Sequence, residues 1–517
     1  MGSVYIAADS KETEIVNAGE LPRRLEKIIF QVSRIAWILF LVSLPVTSFP
    51  FFPSGLGGST LVRPFSVYPL LVLLAITVLP RLFSRPVTRT LLPFIAFMLA
   101  ALASSMLAFS RGIDQLVGVS VLDRAIRTLV TLFLGGGFYL ALVTIPDTPD
   151  KLRSSLRWLY VGFGAALFWG TLQAVYVLKF QQVYFDLLKQ MQRMVSIRKL
   201  FPTRISGMTY EPNWFAEQIA FLLMPWLFTS VFSGYSVFRW RWRWVSVEFI
   251  MLVWAAAVLI FTFSRSGIIL LALQLLFVFL FRPRRKKDTT NTNMQMHWQR
   301  LLKRIFQASM ALAVLLGIVF LAGSRDNYFS RLWNYWIDED STGQYLQYIA
   351  FDQRFTYWIT AYRIYEDYPI MGIGLGNFTY YLDEYLPDYP LHPTPELLTK
   401  LTPAEGRSQL STVKGIFPRL LAETGFVGMA TFLGFLLALV GCVGYLTLAK
   451  DADVQFWGLA GSLGLVVFMA VSFSFDSFSL PNMWVVFGFI TAAAQVFNLK
   501  SGISVQPPVT EIPVEIQ

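Results

Sequence analysis

The sequence predicts an all-α polytopic membrane protein with about twelve transmembrane helices. Of its 517 residues, 55% are hydrophobic and only 15% are charged, whereas soluble domains carry about 25% charged residues. The mean hydropathy is +0.54. Apolar runs long enough to cross a bilayer also recur along the chain. This composition excludes a soluble multi-domain enzyme and a disordered protein.

Each predicted transmembrane helix corresponds to one apolar run of the sequence. The runs lie at 28–47, 65–82, 91–109, 126–145, 156–178, 213–232, 246–263, 264–282, 305–323, 424–447, 454–474 and 478–498. The stretch 246–282 is too long for one span. The polar residues Ser264, Arg265 and Ser266, followed by Gly267, predict a tight reversal within it.

The distribution of lysine and arginine predicts that both termini are cytoplasmic. The most basic loop, 283–304, is then cytoplasmic, whereas the short outer loops at 48–64 and 475–479 hold only Arg63. The predicted organisation is a cytoplasmic segment 1–27, helices within 28–323 with an outer segment 179–212, a large outer loop 324–423, helices within 424–498 and a cytoplasmic tail 499–517. The large loop is expected to be mainly helical, since Phe355, Trp358, Tyr362 and Tyr365 follow helical spacing.

Few residue types suited to metal binding are available. The chain has one cysteine and two histidines, His297 and His392, which disfavours a disulfide framework and a Cys- or His-based metal site. The outer loop 48–64 contains no acid, and the triplet Asp338–Asp340 is interpreted as solvated loop. We therefore expect metal-free chemistry. The net charge of +11 indicates basic loops beside a membrane and no nucleic-acid partner.

Several charged residues lie near the outer boundaries of the predicted spans. Arg265 lies between two apolar runs, where a charge needs an anionic partner, and either a protein carboxylate or a ligand phosphate would serve. Arg363 is predicted to pair with Glu366 or Asp367.

Two acids near the outer boundary allow alternative interpretations. Glu211 precedes Pro212 at the start of a span, so it either interacts with the helix dipole or acts on a substrate proton. Glu423 follows Arg419 by four residues, which predicts a structural ion pair as the alternative to a catalytic role. The glycine-rich run 372–377 predicts a turn, and anion binding by its amides is the alternative.

Four short motifs resemble the O-antigen polymerase and O-antigen ligase superfamily of bacterial envelope glycan enzymes. They are Arg204 with Glu211-Pro-Asn213 and Ala216, Thr262-Phe-Ser-Arg265-Ser-Gly267, Arg354 with Trp358 and Asp367-Tyr-Pro369-Ile-Met-Gly372-Ile-Gly374, and Leu421-Ala-Glu423-Thr-Gly425-Phe-Val-Gly428. They follow the family's order over about 204–428.

The resemblance implies a GT-C-like, metal-independent glycosyltransferase without a cofactor in the bacterial plasma membrane. Its donor and acceptor would be polyprenyl-diphosphate-linked glycans, with a chain-length regulator and a flippase as further partners. It further implies that Arg204, Arg265 and Arg354 bind the diphosphate, because guanidinium groups hold phosphate oxygens in two-pronged geometry. The candidates for orienting or deprotonating the acceptor hydroxyl are Glu211, Lys414 and Glu423.

One departure from the family pattern favours a polymerase. The ligase branch has a His-Asn pair where this chain has Lys414-Gly415, and that histidine is taken to activate the acceptor. A ligase remains the alternative. A transporter of lipid-linked oligosaccharide is the rival class, but Arg34 is the main charge expected inside a span, and a transporter would not need a folded outer loop of this size.

Overall fold

The computed structural model describes residues 20–53, 61–84, 89–113, 116, 119–243, 245–281, 294–323, 330, 352–387 and 411–502. These residues are mostly helical, with few strand residues. The first half contains α1 (Glu20–Val42), α2 (Val67–Leu73), α3 (Leu79–Ser84), α4 (Leu92–Ala108), α5 (Val121–Thr144), α6 (Pro149–Leu178), α7 (Gln182–Val195), α8 (Pro212–Gln218) and α9 (Met224–Ser233). Short π-helical segments, Leu74–Val78 and Ile219–Leu223, join α2 to α3 and α8 to α9, and 3₁₀ turns lie at Arg89–Leu91 and Phe109–Arg111.

The second half continues with the same architecture. It contains α10 (Val247–Phe261), α11 (Arg265–Phe281), α12 (Met294–Gly323), α13 (Asp352–Asp367), α14 (Phe378–Tyr381), α15 (Ile416–Leu448), α16 (Ala452–Val471) and α17 (Pro481–Gly502). Among the described residues, the strands are β1 (Arg241–Trp242) and β2 (Val245–Ser246), which pair antiparallel with Arg241 opposite Ser246. The chain is therefore a helical polytopic membrane protein, as the sequence predicts.

In the part of the chain that the structure describes, seven helical segments are long and apolar enough to cross a membrane. They are Leu92–Arg111, Val121–Thr144, Pro149–Leu178, Pro212–Ser233, Leu302–Leu321, Ile416–Leu448 and Ala452–Val471. Three shorter apolar helices, Val67–Phe83, Val247–Phe261 and Arg265–Phe281, coincide with further predicted spans. Helices α1 and α17 overlap the first and last predicted spans. The total of twelve stays a prediction.

Two apolar segments form the centre of the bundle. In the segment Pro212–Ser233, 89% of the most apolar 18-residue stretch is buried inside the protein. Helix α17 is buried almost throughout from Pro481 to Val496. Helix α17 packs against α5, while α15 packs against α4 and α16. A helix that is apolar on all sides is buried inside a bundle. The central position of these two segments fixes where the polar residues at their ends lie.

The predicted reversal near residue 264 is confirmed, because α10 ends at Phe261 and α11 begins at Arg265. Two boundaries differ from the sequence expectation. Helix α15 begins at Ile416, eight residues before the predicted span at 424, but the non-helical Gly425 divides it close to that predicted start. Its first part contains the ion pair of Arg419 and Glu423. Helix α12 begins at Met294, within the loop predicted at 283–304, because its polar first turns continue the helix beyond the apolar run.

Backbone hydrogen bonds connect several loops at one end of the bundle. The residues before α8 contact the turn between α10 and α11, since the amide of Ile205 bonds to the carbonyl of Phe261. The start of α15 bonds to Ser472 through the amide of Ile416. We call the end that carries these contacts the outer end, following the predicted topology. The predicted helix around Phe355–Tyr365 is confirmed as α13.

Candidate active site at the outer end

Arg204 connects two of the motifs that the sequence singles out. Its Nε donates to the carbonyl of Thr262 at 2.9 Å, and its Nη2 donates to the carbonyl of Phe263 at 3.0 Å. The same Nη2 lies 3.0 Å from Oδ1 of Asn213 in the first turn of α8. The guanidinium of Arg204 therefore holds the start of α8 against the turn between α10 and α11.

Arg265 is the first residue of α11 and follows that turn directly. The hydroxyl of Ser264 accepts from the amide of Gly267 at 3.2 Å and so caps the helix. A Cβ atom on Gly267 would lie 2.6 Å from the Cβ of Ala216, so only glycine allows α8 and α11 to approach this closely. The N-terminal ends of these helices consequently lie side by side at the outer end, with Arg204 and Arg265 close to them.

Glu217 lies between these helices and the loop that precedes α17. The hydroxyl of Ser474 donates to its Oε1 at 3.2 Å, and the hydroxyl of Ser266, beside Arg265, also hydrogen-bonds to this carboxylate. Glu217 interacts electrostatically with Arg354, and more weakly with Glu211. This acid therefore connects the surroundings of Arg265 and Arg354, which are far apart in sequence.

Arg354 lies in the first turn of α13. Its Nη1 donates to the carbonyl of Phe473 at 3.2 Å. One turn later, the ring of Trp358 lies 5.9 Å from the ring of Phe473. Helix α13 thus lies over the Ser472–Leu480 loop. Arg354 bonds to this loop at Phe473, next to Ser474, which bonds to Glu217.

Lys414 precedes α15 and contacts the same loop through its backbone. Its amide donates to Oδ2 of Asp476 at 2.9 Å, and its φ of +58° is unusual for a residue with a side chain. Its Nζ lies 5.4 Å from the centre of the Tyr357 ring, within the range of a cation–π contact. The ammonium group of Lys414 therefore faces α13.

Glu423 forms the ion pair that the sequence suggests as its structural alternative. Its Oε2 lies 2.8 Å from Nε of Arg419, and the two side chains are only 2% and 8% exposed. Arg419 also donates to the carbonyl of Asp476. A buried pair of this kind is strongly destabilised when one partner is removed. The ion pair that the sequence offers as an alternative is therefore present, and the catalytic role of Glu423 stays a prediction.

Glu211 occupies the N-cap position of α8, but its side chain makes no capping hydrogen bond. Its carbonyl accepts from the hydroxyl of Thr209 at 2.8 Å and from the amide of Phe215 at 3.2 Å. The backbone of Glu211 starts the helix, and this half-buried residue interacts electrostatically with Glu217.

The glycine-rich run forms a turn that hydrogen-bonds to the backbone of α15 where this helix is broken. Gly425 has a φ of +63° inside this helix. The amides of Ile373 and Gly374 donate to the carbonyls of Ala422 and Glu423 at 3.0 and 2.8 Å. In return, the amide of Phe426 donates to the carbonyl of Pro369. The turn interpretation is therefore confirmed, and these amides are engaged with the helix rather than available to an anion.

The predicted ion pair of Arg363 with Glu366 or Asp367 is wrong. Arg363 Nη1 donates to the carbonyl of Leu386 at 3.1 Å, and Asp367 accepts from the phenol of Tyr385 at 2.7 Å. Burial, together with this bond, raises the pKa of Tyr385 above its ordinary value, so the phenol stays protonated and donates. Arg363 and Asp367 therefore bond to residues that follow α14 and not to each other along α13.

An apolar cavity of about 410 Å³ adjoins the Arg204 segment. Its walls come from the outer ends of α6 and α10 and from the residues before Arg204; they are Tyr176, Val177, Leu178, Phe180, Pro202, Thr203, Phe261 and Phe263. The carbonyl of Phe263 accepts from Arg204. The cavity therefore lies directly beside a guanidinium of the candidate site.

Sequence reasoning missed Glu217, Ser474 and Asp476. Glu217 carried a usable signal, because it is an acid inside the predicted span 213–232, and such residues are functional candidates by default. Asp476 is the only acid between Ser472 and Leu480, but its bonds to Lys414 and Arg419 depend on contacts that the sequence does not reveal. The triplet Asp338–Asp340 and His392 lie outside the described residues.

Within the described residues, no group of three or more His, Cys, Asp or Glu side chains is arranged to hold a metal ion. No curated protein matches the chain in sequence. Residues 250–397 match the family model Wzy_C, described as O-antigen ligase. This range contains Arg265 and Arg354, whereas Arg204, Glu211, Lys414 and Glu423 lie outside it. The match confirms the resemblance that the motifs indicate: over residues 250–397, the chain is similar to the O-antigen polymerase and ligase superfamily.

Proposed function

We propose that this protein is a membrane glycosyltransferase that joins polyprenyl-diphosphate-linked glycan repeat units at the outer face of the bacterial plasma membrane. One observation carries the proposal. Contacts around Glu217 bring together the segments of Arg204, Arg265 and Arg354 beside the N-terminal ends of two apolar helical segments. Guanidinium groups at such a boundary suit a diphosphate, which they bind in two-pronged geometry while remaining charged.

In the proposed reaction, a hydroxyl of the acceptor glycan attacks the anomeric carbon of the donor sugar. A new glycosidic C–O bond forms as the bond between this carbon and the diphosphate oxygen breaks. The electron pair leaves with the polyprenyl diphosphate, where Arg204, Arg265 and Arg354 stabilise the negative charge. The hydroxyl proton passes to a carboxylate of the site, and no metal step is needed to balance the reaction.

Glu217 is the carboxylate that we assign to the acceptor hydroxyl. Its hydrogen bonds come from Ser266 and Ser474, which orient it without neutralising it as an ion pair would. Glu423 is committed to Arg419. Glu211 is the second candidate, because it shares the electrostatic environment of Glu217. Lys414 would orient the acceptor from the side of α13.

The apolar cavity offers a place for the first isoprene units of the donor. It lies beside Arg204, and a lipid diphosphate needs an apolar surface next to its charged head. A donor bound in this way would bring its diphosphate to the guanidinium groups and its lipid chain into contact with the outer ends of α6 and α10.

A ligase that transfers the glycan to another acceptor is the second candidate function. The matched family model carries the description O-antigen ligase, which favours it. Lys414-Gly415 at the position of the ligase His-Asn pair favours the polymerase. The two functions share the donor and differ in the molecule that carries the product.

Reconstitution in vesicles with a lipid-linked repeat unit as sole substrate tests the proposal. We expect longer glycans that are still attached to polyprenyl diphosphate, with E217Q as the matched inactive variant. Product on a different acceptor, formed only when that acceptor is added, would identify a ligase. Movement of the substrate across the bilayer without a new glycosidic bond would identify a transporter and contradict both candidates.

A further inference from the structure

A short basic and aromatic hairpin joins α9 and α10 at the end opposite the candidate site. Residues 239–243 read Arg-Trp-Arg-Trp-Arg, and the linker from Gly234 to Val247 contains no acid. Strands β1 and β2 form its two arms. We call Arg239–Arg243 the Arg/Trp tip. Nothing in the proposed glycosyl transfer uses it.

The base of the hairpin is fixed to the bundle. The buried carboxylate of Glu248 accepts from the amide of Val237 at 2.7 Å and from the hydroxyl of Ser236 at 3.0 Å. Arg153 of α6 donates to the carbonyl of Val237 at 3.3 Å. The ring of Tyr235 stacks on Phe456 of α16 at 4.1 Å. These contacts hold the hairpin in one position on the bundle.

The tip itself is exposed. Trp240 and Trp242 are 51% and 64% exposed, and the guanidinium of Arg243 lies 5.8 Å from the ring of Trp242. Among the ion pairs between described residues, none involves an arginine of the tip. Exposed tryptophan beside several cations is costly for a surface that faces only water.

The backbone of the tip has the conformation of a tight hairpin. Arg239 and Arg243 have φ values of +58° and +55°. Residues with side chains rarely adopt this left-handed conformation, and it persists where the surrounding structure enforces it. At Arg243 it is the conformation that a two-residue hairpin turn requires at its first position, because Trp242 pairs with Val245.

We propose that the Arg/Trp tip binds the anionic headgroups of phospholipids at the bilayer surface. The tip connects two apolar helices, so it lies at the boundary between membrane and water. Tryptophan is enriched at this depth because its ring is apolar and its N–H is polar. Arginine binds lipid phosphates in two-pronged geometry, and anionic lipids attract basic segments beside membrane spans. The predicted topology assigns the tip to the cytoplasmic leaflet.

Hydrogen exchange of the whole protein in vesicles tests this. We expect slower exchange of the amides in 239–243 in vesicles containing phosphatidylglycerol than in phosphatidylcholine alone, with the difference lost at high salt. Single Arg→Gln variants of Arg239, Arg241 and Arg243 should each raise the phosphatidylglycerol concentration needed for half-protection about fivefold.

The variant R239Q/R241Q/R243Q should lose the protection while exchange in α9 stays unchanged, which reports that the fold is kept. The control R284Q/R285Q/K286Q removes the same number of positive charges from the basic loop between α11 and α12. This control should keep the protection of residues 239–243. Equal exchange in both lipids would contradict the proposal, and so would protection that survives the loss of all three arginines. Neither result depends on glycosyl transfer.

Discussion

At the residue scale, the site depends on how arginine differs from lysine. A guanidinium presents several N–H groups in one plane and contacts scaffold and ligand at the same time, whereas an ammonium is a point charge. Arg204 already uses its guanidinium to join α8 to the turn before α11. In the proposed site, the same guanidinium would also contact the diphosphate, so charge alone would not replace it.

We therefore predict that lysine at Arg204, Arg265 or Arg354 reduces kcat at least a hundredfold, since loss of a group that stabilises developing charge costs about 3–4 kcal/mol. Lysine keeps the charge and loses the two-pronged geometry. The matched control is R363K on α13, whose guanidinium bonds to the carbonyl of Leu386 and should tolerate the change. Near-normal turnover of the three site variants would refute the diphosphate site.

Glu217 allows a sharper test, because E217Q keeps the shape of the side chain and removes its ability to accept a proton. General-base catalysis contributes about 10²–10⁴-fold, so we expect kcat to fall by at least a hundredfold with little change in KM. The acidic limb of the pH–rate profile should disappear as well. If E211Q shows these effects and E217Q does not, Glu211 is the base. A loss of thermal stability without a change in the pH profile would indicate a structural role for Glu217.

At the element scale, the broken helix α15 and the glycine-rich turn depend on each other. The break at Gly425 leaves helix carbonyls and amides without partners, and the turn at residues 369–374 supplies them. Each side requires glycine. A Cβ on Gly425 would lie 2.5 Å from the backbone of Ile370, and a Cβ on Gly372 would lie 2.5 Å from the backbone of Glu423. Two of the sequence motifs are therefore halves of one structural unit.

G425A should lower the thermal unfolding temperature in detergent, because alanine at a positive φ costs more than about 1 kcal/mol and its Cβ meets fixed backbone. G441A lies on the same helix with nothing within 4 Å of its added Cβ. This control should be neutral or stabilising, since alanine is the better helix former. Equal melting temperatures for the two variants would show that the break is not constrained by the turn.

The helices could be predicted from sequence more fully than the site. Apolar runs located the membrane helices, and the polar residues at 264–266 located the reversal, because both are local properties. The sequence pairs Arg419 with Glu423 at helical spacing, but the helical start at Ile416 lies before the apolar run that marks the span, and the burial of this pair is not a local property of the sequence. The contacts of Glu217 with Ser266 and Ser474 join segments that are remote in sequence. Periodicity carries no information about such pairings.

At the scale of the whole molecule, the two ends of the bundle carry different chemistry. At the outer end, Arg204 bonds to the first turn of α8, and Arg354 and Glu217 contact a loop with a single acid, Asp476. The opposite end carries the Arg/Trp tip, which has no acid in its linker. A donor diphosphate at one end and lipid headgroups at the other would both be held mainly by arginine.

We predict that the proposed glycosyl transfer does not need a divalent metal ion. The chain has two histidines and one cysteine, and its outer loop 48–64 contains no acid, so carboxylates suited to hold a metal at the donor diphosphate are scarce there. We expect glycan elongation in vesicles to continue unchanged after treatment with a chelator. Activity that is lost on chelation and restored by magnesium or manganese would replace the guanidinium mechanism with a metal-assisted one.

The direction of the chain in the membrane decides which face performs the reaction. The positive-inside rule predicts that 283–304 is cytoplasmic and 324–423 is outside. The native Cys442 is buried, so a membrane-impermeant thiol reagent applied to cells would report on introduced cysteines. We expect T342C to be labelled and T290C to be labelled only after the cells are opened. The reverse pattern would move the arginine site to the cytoplasmic face, where a polyprenyl-linked repeat unit awaiting export is not the expected substrate, and would also transfer the Arg/Trp tip to the outer leaflet.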